Sequence, residues 1–320
     1  MNQRNIFIGT TIVAIVLSVL IVFGAPRVGT NSQQFVVPRG ATMESTSDAL
    51  ATQGFVRSSL AFHIYFHIFD AGKTISSGGY YISSSMNAWT IARALTSPAS
   101  MKWVVIPEGL RKEEIADILG SALGWSDVMK AEFISDTDAK PDYIEGVYFP
   151  DTYLIPVTDT PQDIVTELQS EFNQQFVPYA QEAIHKNIKW TTALTLASII
   201  QREAAGADDM PLISGILWNR LNNKMPLDID STLQYARGNT PTGWWAPIAS
   251  KDKSLDSPFN TYMHAGLPPR PISNPGLAAI SAALDPATTT CLYYLHDANR
   301  KIHCADTLDQ QENNILKYLK

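Results

Sequence analysis

Two cysteines among 320 residues are too few for a disulfide-framework domain or a four-ligand zinc site. No basic run offsets the formal net charge of -7, which excludes a nucleic-acid partner held by phosphate neutralisation. Charged residues make up only 17% of the chain against 45% hydrophobic, with 18 Gly and 19 Pro, so it is neither collagenous nor largely disordered. A glycine-rich phosphate loop is missing. Ser198, inside a helical pattern, lacks the Gly-x-Ser-x-Gly elbow of a serine hydrolase. His63 and His67 stand four apart in FHIYFHIF without the glutamate that a metalloprotease carries after the first histidine, and they read as a helix flank.

Long apolar runs are also scarce, and the one present is informative. Ile6 to Phe23 is almost wholly apolar, about the length of a membrane-crossing helix. No small-residue cleavage pair precedes Pro26, so an uncleaved anchor is expected rather than a signal peptide. Arg4 and the amino terminus lean the orientation toward a cytoplasmic start, with the rest of the chain outside.

Beyond the polar stretch GTNSQQ, Phe35 to Val37 reads as a strand ending in Pro38-Arg39-Gly40. The phrase returns as Trp103 to Ile106 with Pro107-Glu108-Gly109, and at the same offset Asp48 and Leu50 meet Asp117 and Leu119. Each copy continues into two helical patterns, the second at Ser58 to Phe69 and at Ser126 to Ile134, and closes on a Gly-aromatic strand, Gly79 to Ile82 and Gly146 to Phe149. This strand, helix, helix, strand order resembles the LysM module, a small fold that binds glycans containing N-acetylglucosamine. A scaffold that only spaces membrane from catalytic domain is the alternative. Apolar residues at Ile164, Val165, Leu168, Phe172 and Phe176 mark one helix face that opens a further domain.

The chemistry concentrates between Thr192 and Tyr235. Leu196, Ile199, Ile200 and Glu203 fall at helical spacings on one side, which puts Glu203 beside a buried stripe. A carboxyl in an apolar wall is favoured in its protonated form, as a general acid requires; an exposed glutamate near a helix end is the other reading. Pro211 to Leu221 reads as a second helix, followed by Asp228 and Asp230 in a loop. Trp244-Trp245 suits a sugar platform, a membrane-dipping loop or local packing equally. Asn260-Thr261-Tyr262 and Gly266-Leu267-Pro268-Pro269 place amide, hydroxyl and phenol groups on rigid turns.

Taken together these residues resemble the endolytic murein transglycosylases, or YceG-like proteins. The motifs are Ile106-Pro107-Glu108-Gly109, Glu145-Gly146-x-x-Phe149-Pro150-Asp151-Thr152-Tyr153, Ala197-Ser198-Ile199-Ile200-x-x-Glu203, Asn219-Arg220-Leu221, Asp230-x-Thr232-x-x-Tyr235, Asn260-Thr261-Tyr262 and Asn274-Pro275-Gly276. The family often has an acid where this chain has Gln201, so the catalytic role is carried to Glu203. The family's His-x-Phe is His303-Cys304-Ala305 here, and a following His-Asn is Glu312-Asn313.

The resemblance implies an α+β protein: a cytoplasmic end (residues 1–5), a transmembrane helix (6–24), a spacer (25–34), two LysM-like βααβ modules (35–102 and 103–157) and a mixed α/β catalytic domain (158–320). It also implies cleavage of the N-acetylmuramic acid–N-acetylglucosamine bond within peptidoglycan strands, leaving a 1,6-anhydro end. Glu203 is the expected acid and base, and Asn219, Asp230, Tyr235, Asn260 and Tyr262 the expected substrate contacts. No metal or organic cofactor is required. Glycan strands, the plasma membrane and peptidoglycan synthases are the expected partners, with a catalytically silent peptidoglycan-binding scaffold as the alternative function. Counting outward from a four-residue turn, His296 to Asn299, sets Leu295 opposite Arg300 and Cys291 opposite Cys304, so a disulfide is expected.

Overall fold

The computed structural model describes residues 3–69, 72–136 and 144–319. The expected cytoplasmic end therefore lies partly outside the described residues. Helix α1 (Gln3–Phe23) occupies the apolar run. Among the described residues, no helix is long and apolar enough to cross a membrane.

The chain divides into two compact units, residues 1–104, α1 included, with 152–159, and residues 105–151 with 160–320. The first holds β1 (Gln33–Val37), α2 (Met43–Thr52), α3 (Ser59–Phe69), β2 (Gly78–Ile82), α4 (Ala88–Leu95), β3 (Met101–Val105) and β4 (Thr152–Pro156), the last residue of β3 excepted. The four strands form one sheet in the order β1-β2-β3-β4, with β1 and β2 antiparallel from Gln33↔Ile82 to Val37↔Gly78. Alternation turns Phe35 and Val37 inward, where they meet Leu50, Phe62, Phe66, Ile82 and Ile91 in one core. Helix starts obey the local chemistry: the Thr42 hydroxyl accepts from Ser45 N, and Asn87 Oδ1 accepts from Thr90 N.

The strand, helix, helix, strand order occurs twice, as β1-α2-α3-β2 and as β3-α5-α6-β4, with α5 at Lys112–Leu123 and α6 at Asp127–Asp136. α4 lies between the copies and matches none of the expected elements. The strand expected at Gly146 to Phe149 is not one; the closing strand of the second copy, β4, begins at Thr152. The backbone of this stretch is committed elsewhere: Tyr148 N donates to Asn274 Oδ1 at 2.8 Å, and Phe149 N to Leu168 O at 3.4 Å. Gly146 explains the kink, with φ at +87° and a site where a Cβ would lie 2.8 Å from Pro271.

The second unit adds α7 (Pro161–His185), α8 (Trp190–Glu203), α9 (Met210–Asn222), α10 (Asp230–Arg237), α11 (Leu277–Leu284), the hairpin β5 (Tyr293–His296) and β6 (Ile302–Ala305), and α12 (Leu308–Tyr318). α7 starts on a capping box between Thr160 and Asp163 with Pro161 in its first turn. Asp230 is not in a loop, as expected, but is the first residue of α10.

The disulfide Cys291–Cys304 is present, with Cα atoms 5.9 Å apart. Its expected register is not. The ladder pairs His296 with Ile302 and Tyr294 with Cys304, and Asp297 to Lys301 form the loop, closed by Asp297 N on Lys301 O. Asp297 decides this, because its carboxylate accepts from Asn299 N and Lys301 N and so organises a longer loop. Cys291 lies before β5 begins, where no ladder dictates which way its side chain points, and can therefore reach a cysteine that is not its cross-strand partner.

Candidate active site

Helix α8 is the spine of the second unit. Every residue from Ala193 to Ile200 is buried, and α11, apolar but for Ser281, packs along it. The helix stops after Glu203, where Ala204 turns to extended backbone at φ -70° and ψ 140°. The same 3.6-residue spacing that aligns Glu203 with the buried stripe carries it one turn beyond the core. It is half-buried rather than enclosed.

The wall around it is polar, not apolar as expected. Ser231 Oγ donates to Glu203 Oε1 at 2.7 Å and Tyr294 OH to Oε2 at 2.9 Å. Arg220, Asp228, Asp230, Tyr293, Tyr294 and Gln311 share with Glu203 a pocket of about 220 Å³. Burial first, and then the neighbouring Glu203 charge, hold the Tyr294 phenol well above its ordinary pKa. It is therefore a hydrogen-bond donor at neutral pH.

Of the expected substrate contacts, Asp230 lines this pocket, and Tyr262 donates its hydroxyl to Asp230 Oδ1. Burial and that bond push the Tyr262 phenol up as well. Asn260 is fully buried, with Nδ2 on the carbonyls of Lys253 and Leu255 and Oδ1 receiving Tyr262 N. It shapes the turn that presents Tyr262. Asn219 donates to the carbonyls of Thr289 and Cys291 and lines a separate cavity of about 560 Å³ with Trp218 and Lys186. Tyr235 is buried against Phe259 and under the Arg111 guanidinium, its hydroxyl 3.4 Å from Glu145 Oε2. Asn219, Tyr235 and Asn260 thus hold backbone or core in place, while Glu203, Asp230 and Tyr262 come together.

Sequence reasoning missed Tyr294, Ser231 and Arg220 as pocket groups. Arg220 straps the wall: Nε donates to Leu292 O at 2.6 Å, and Nη1 to Leu227 O at 2.8 Å and to Asp228 Oδ2 at 3.2 Å. Thr232 and Thr261, both buried, share a 2.9 Å hydroxyl contact, and Thr261 Oγ1 receives Ile229 N, which fixes the chain entering α10. Arg220 and Thr232 lay within quoted motifs. Tyr294 had no signal beyond a Tyr-Tyr pair next to a cysteine.

Gln201 points away from this pocket. Its Oε1 accepts from Gly276 N at 3.0 Å, and Gly276 in turn leaves room for Glu108, whose Oε1 would lie 1.8 Å from a Cβ there. Glu145 is the buried carboxyl that a search by pKa alone would choose. Burial, then the Glu113 charge, raise it to about 8, yet it is 1% exposed and takes bonds from Lys112 N and Asn274 Nδ2. No substrate bond can reach a group so enclosed. The Trp pair is local packing: Arg202 lies 3.8 Å from the Trp245 ring centroid, Arg111 lies 4.2 Å from that of Trp244, and Trp245 Nε1 donates to Glu114 at 2.9 Å.

The YceG-like family matches residues 35–317. The chain belongs to the YceG-like family. It is 26% identical, over 90% of its length, to an endolytic murein transglycosylase of Streptococcus pneumoniae D39, and spans 59% of that relative. To an endolytic murein transglycosylase of Bacillus subtilis 168 it is 28% identical, over 88% of this chain and 84% of the relative. A crystal structure of a YceG-like protein from Listeria monocytogenes superposes with a TM-score of 0.62 at 28% identity, covering 88% of this chain and 98% of that one. Among the described residues, this YceG-like chain has no His/Cys/Asp/Glu group arranged to hold a metal ion.

Proposed function

We propose that this chain is a lytic murein transglycosylase that cuts within peptidoglycan strands, with Glu203 as its acid and its base. The observation that carries the reading is the pairing of each Glu203 oxygen with a hydroxyl, Ser231 on Oε1 and Tyr294 on Oε2. A hydroxyl donates to a carboxylate and, after rotating, accepts from a carboxylic acid. Such partners hold the side chain in one place through both protonation states. The acid form protonates the oxygen leaving toward N-acetylglucosamine as the C1–O bond breaks. The C6 hydroxyl of the N-acetylmuramic acid then bonds to C1, and its proton returns to the carboxylate. No water is consumed, so a single carboxyl serves both steps where hydrolysis of a glycoside employs two. Asp230, oriented by Tyr262, supplies negative charge for the positive charge that develops on the ring.

A membrane anchor belongs to the same reading. What supports it is the apolar run Ile6 to Phe23 of the sequence and the exposure of Phe7, Val13, Leu17 and Ile21 on α1, side chains that water does not favour. The plasma membrane would then hold the site near nascent strands, where cleavage ends their elongation, with synthases as neighbours. The two βααβ copies, which resemble LysM modules, would hold the glycan strand. The deciding experiment incubates the full-length protein and Glu203→Gln with uncrosslinked glycan strands. Anhydro-ended fragments from the first and none from the second are expected. Strand retention without fragments from the unaltered protein would instead make it a binding scaffold.

A further inference from the structure

Helix α3, with the sequence SLAFHIYFHIF, is apolar on both sides, which a surface helix in water is not. Phe62 and Phe66 face the core of the first unit. Leu60, Ile64 and Ile68, at four-residue intervals, are 68%, 47% and 63% exposed, and Phe69 is 70% exposed. The carboxy-terminal end of α1 rests against this helix. The Phe23 ring lies 6.2 Å from Tyr65, and Tyr65 stacks on Phe69 at 5.1 Å. The chain leaving α1 is fastened to the same unit: Arg57 Nη2 donates to Ala25 O at 2.9 Å, and Arg27 N to Ser84 O at 3.0 Å. So α1 does not swing on a spacer. Its apolar surface continues through three aromatic rings onto the outer stripe of α3.

We propose that α3 is a membrane-surface helix, its stripe of Leu60, Ile64, Ile68 and Phe69 seated at the boundary between lipid headgroups and acyl chains. This rests on the anchor reading above, because a helix packed against the exit of a membrane span lies at the level of that boundary. Lipid is the occupant that fits. The outer stripe is apolar, edged by His63, His67 and Tyr65, while the opposite face is already packed on the core through Phe62 and Phe66; what extends it toward lipid is its continuity with the exposed apolar side chains of α1. Bound this way, α3 gives the first unit a second attachment and fixes the unit's tilt on the bilayer, which a single flexible tether could not do.

The test labels Ile64→Cys, Val16→Cys and Val128→Cys in the full-length protein with an environment-sensitive fluorophore. The native cysteines are bridged and do not react. Each variant is reconstituted into phosphatidylglycerol and phosphatidylethanolamine vesicles carrying nitroxide lipids at a shallow or a deep acyl position. Ile64 and Val128 are exposed, so labels there leave the cores intact. At position 64 the expected result is quenching at least twofold stronger by the shallow nitroxide than by the deep one; position 16 should show the reverse, and position 128 neither. An unquenched label at position 64 with a quenched one at position 16 overturns the proposal and leaves the anchor standing, as would follow if a second copy or another protein covered the stripe. Lack of quenching at both positions overturns the anchor reading too.

Discussion

Replacing Glu145 by Gln should make this protein more stable at neutral pH, although the site is 1% exposed and hydrogen-bonded on both oxygens. Burial raises the carboxyl from 4.5 to about 8. Between those two values the unfolded chain gives up the proton while the folded chain keeps it. The folded state then binds more protons, so stability falls as pH rises; the contribution is complete below 4.5 and gone above about 8. A tenfold change in a protonation equilibrium is worth about 1.4 kcal/mol, so at pH 7 wild type has given up on the order of 3 kcal/mol that the amide never loses. Gln also suits the partners, since its oxygen accepts from Lys112 N and Asn274 Nδ2 while its amide faces the Tyr235 hydroxyl. Urea unfolding of the full-length protein in detergent micelles, from pH 4 to pH 8.5, measures the difference. Tryptophan fluorescence is the appropriate signal, because Trp125, Trp190, Trp218, Trp244 and Trp245 belong to the second unit with Glu145. The gap between variant and wild type should widen by about 1.4 kcal/mol for each tenfold fall in proton concentration from pH 5 to pH 7 and level off above about 8. Parallel curves would refute the reasoning. A variant that loses ground as pH rises would mean that the donors outweigh burial and the folded carboxyl is ionised.

Tyr294→Phe removes one of two hydroxyls on Glu203; a hydrogen bond to a charged group is worth roughly 1.5–3 kcal/mol, so fragment release should fall by about 10–100-fold in kcat, and full activity would discard its positioning role. Gln201→Ala leaves Gly276 N without its acceptor and should lower stability by about 0.5–1.5 kcal/mol with cleavage retained; abolished cleavage in a folded protein would return the catalytic role to position 201. Replacing Cys291 and Cys304 together by Ser opens a bridge across 13 residues and should cost about 3 kcal/mol. Because that bridge secures the strand that presents Tyr294, kcat should drop as well, and unchanged unfolding and turnover would show that the hairpin holds without it.

Spacing by itself determined most of the helices and set Glu203 beside the buried stripe of α8; its choice as the acid came from the family resemblance. The period of α7 is strong because it buries one continuous face, Ile164, Val165, Leu168, Phe172 and Phe176, and an uninterrupted face leaves its repeat in the sequence. The pairing of Cys291 with Cys304 was legible too, through nearness along the chain, although its register was not. The Asp297 loop sets that register through side-chain bonds that have no periodic signature. Tertiary structure alone decided the site's partners. Tyr294 reaches Glu203 across 91 positions and Ser231 across 28, and a local pattern carries no information about contacts at such separations. It also divided the polar motif residues into two kinds. Asn260 and Asn219 look like substrate groups in the sequence, since amides bind sugars and cap turns with the same atoms. What separates the two uses is whether a backbone carbonyl or open space lies at hydrogen-bond distance, and only the folded chain fixes that. The non-strand at Gly146 has the same origin: Val147, Tyr148 and Phe149 favour a strand by type, but Asn274, more than a hundred residues away, takes the Tyr148 amide that a neighbouring strand would have needed.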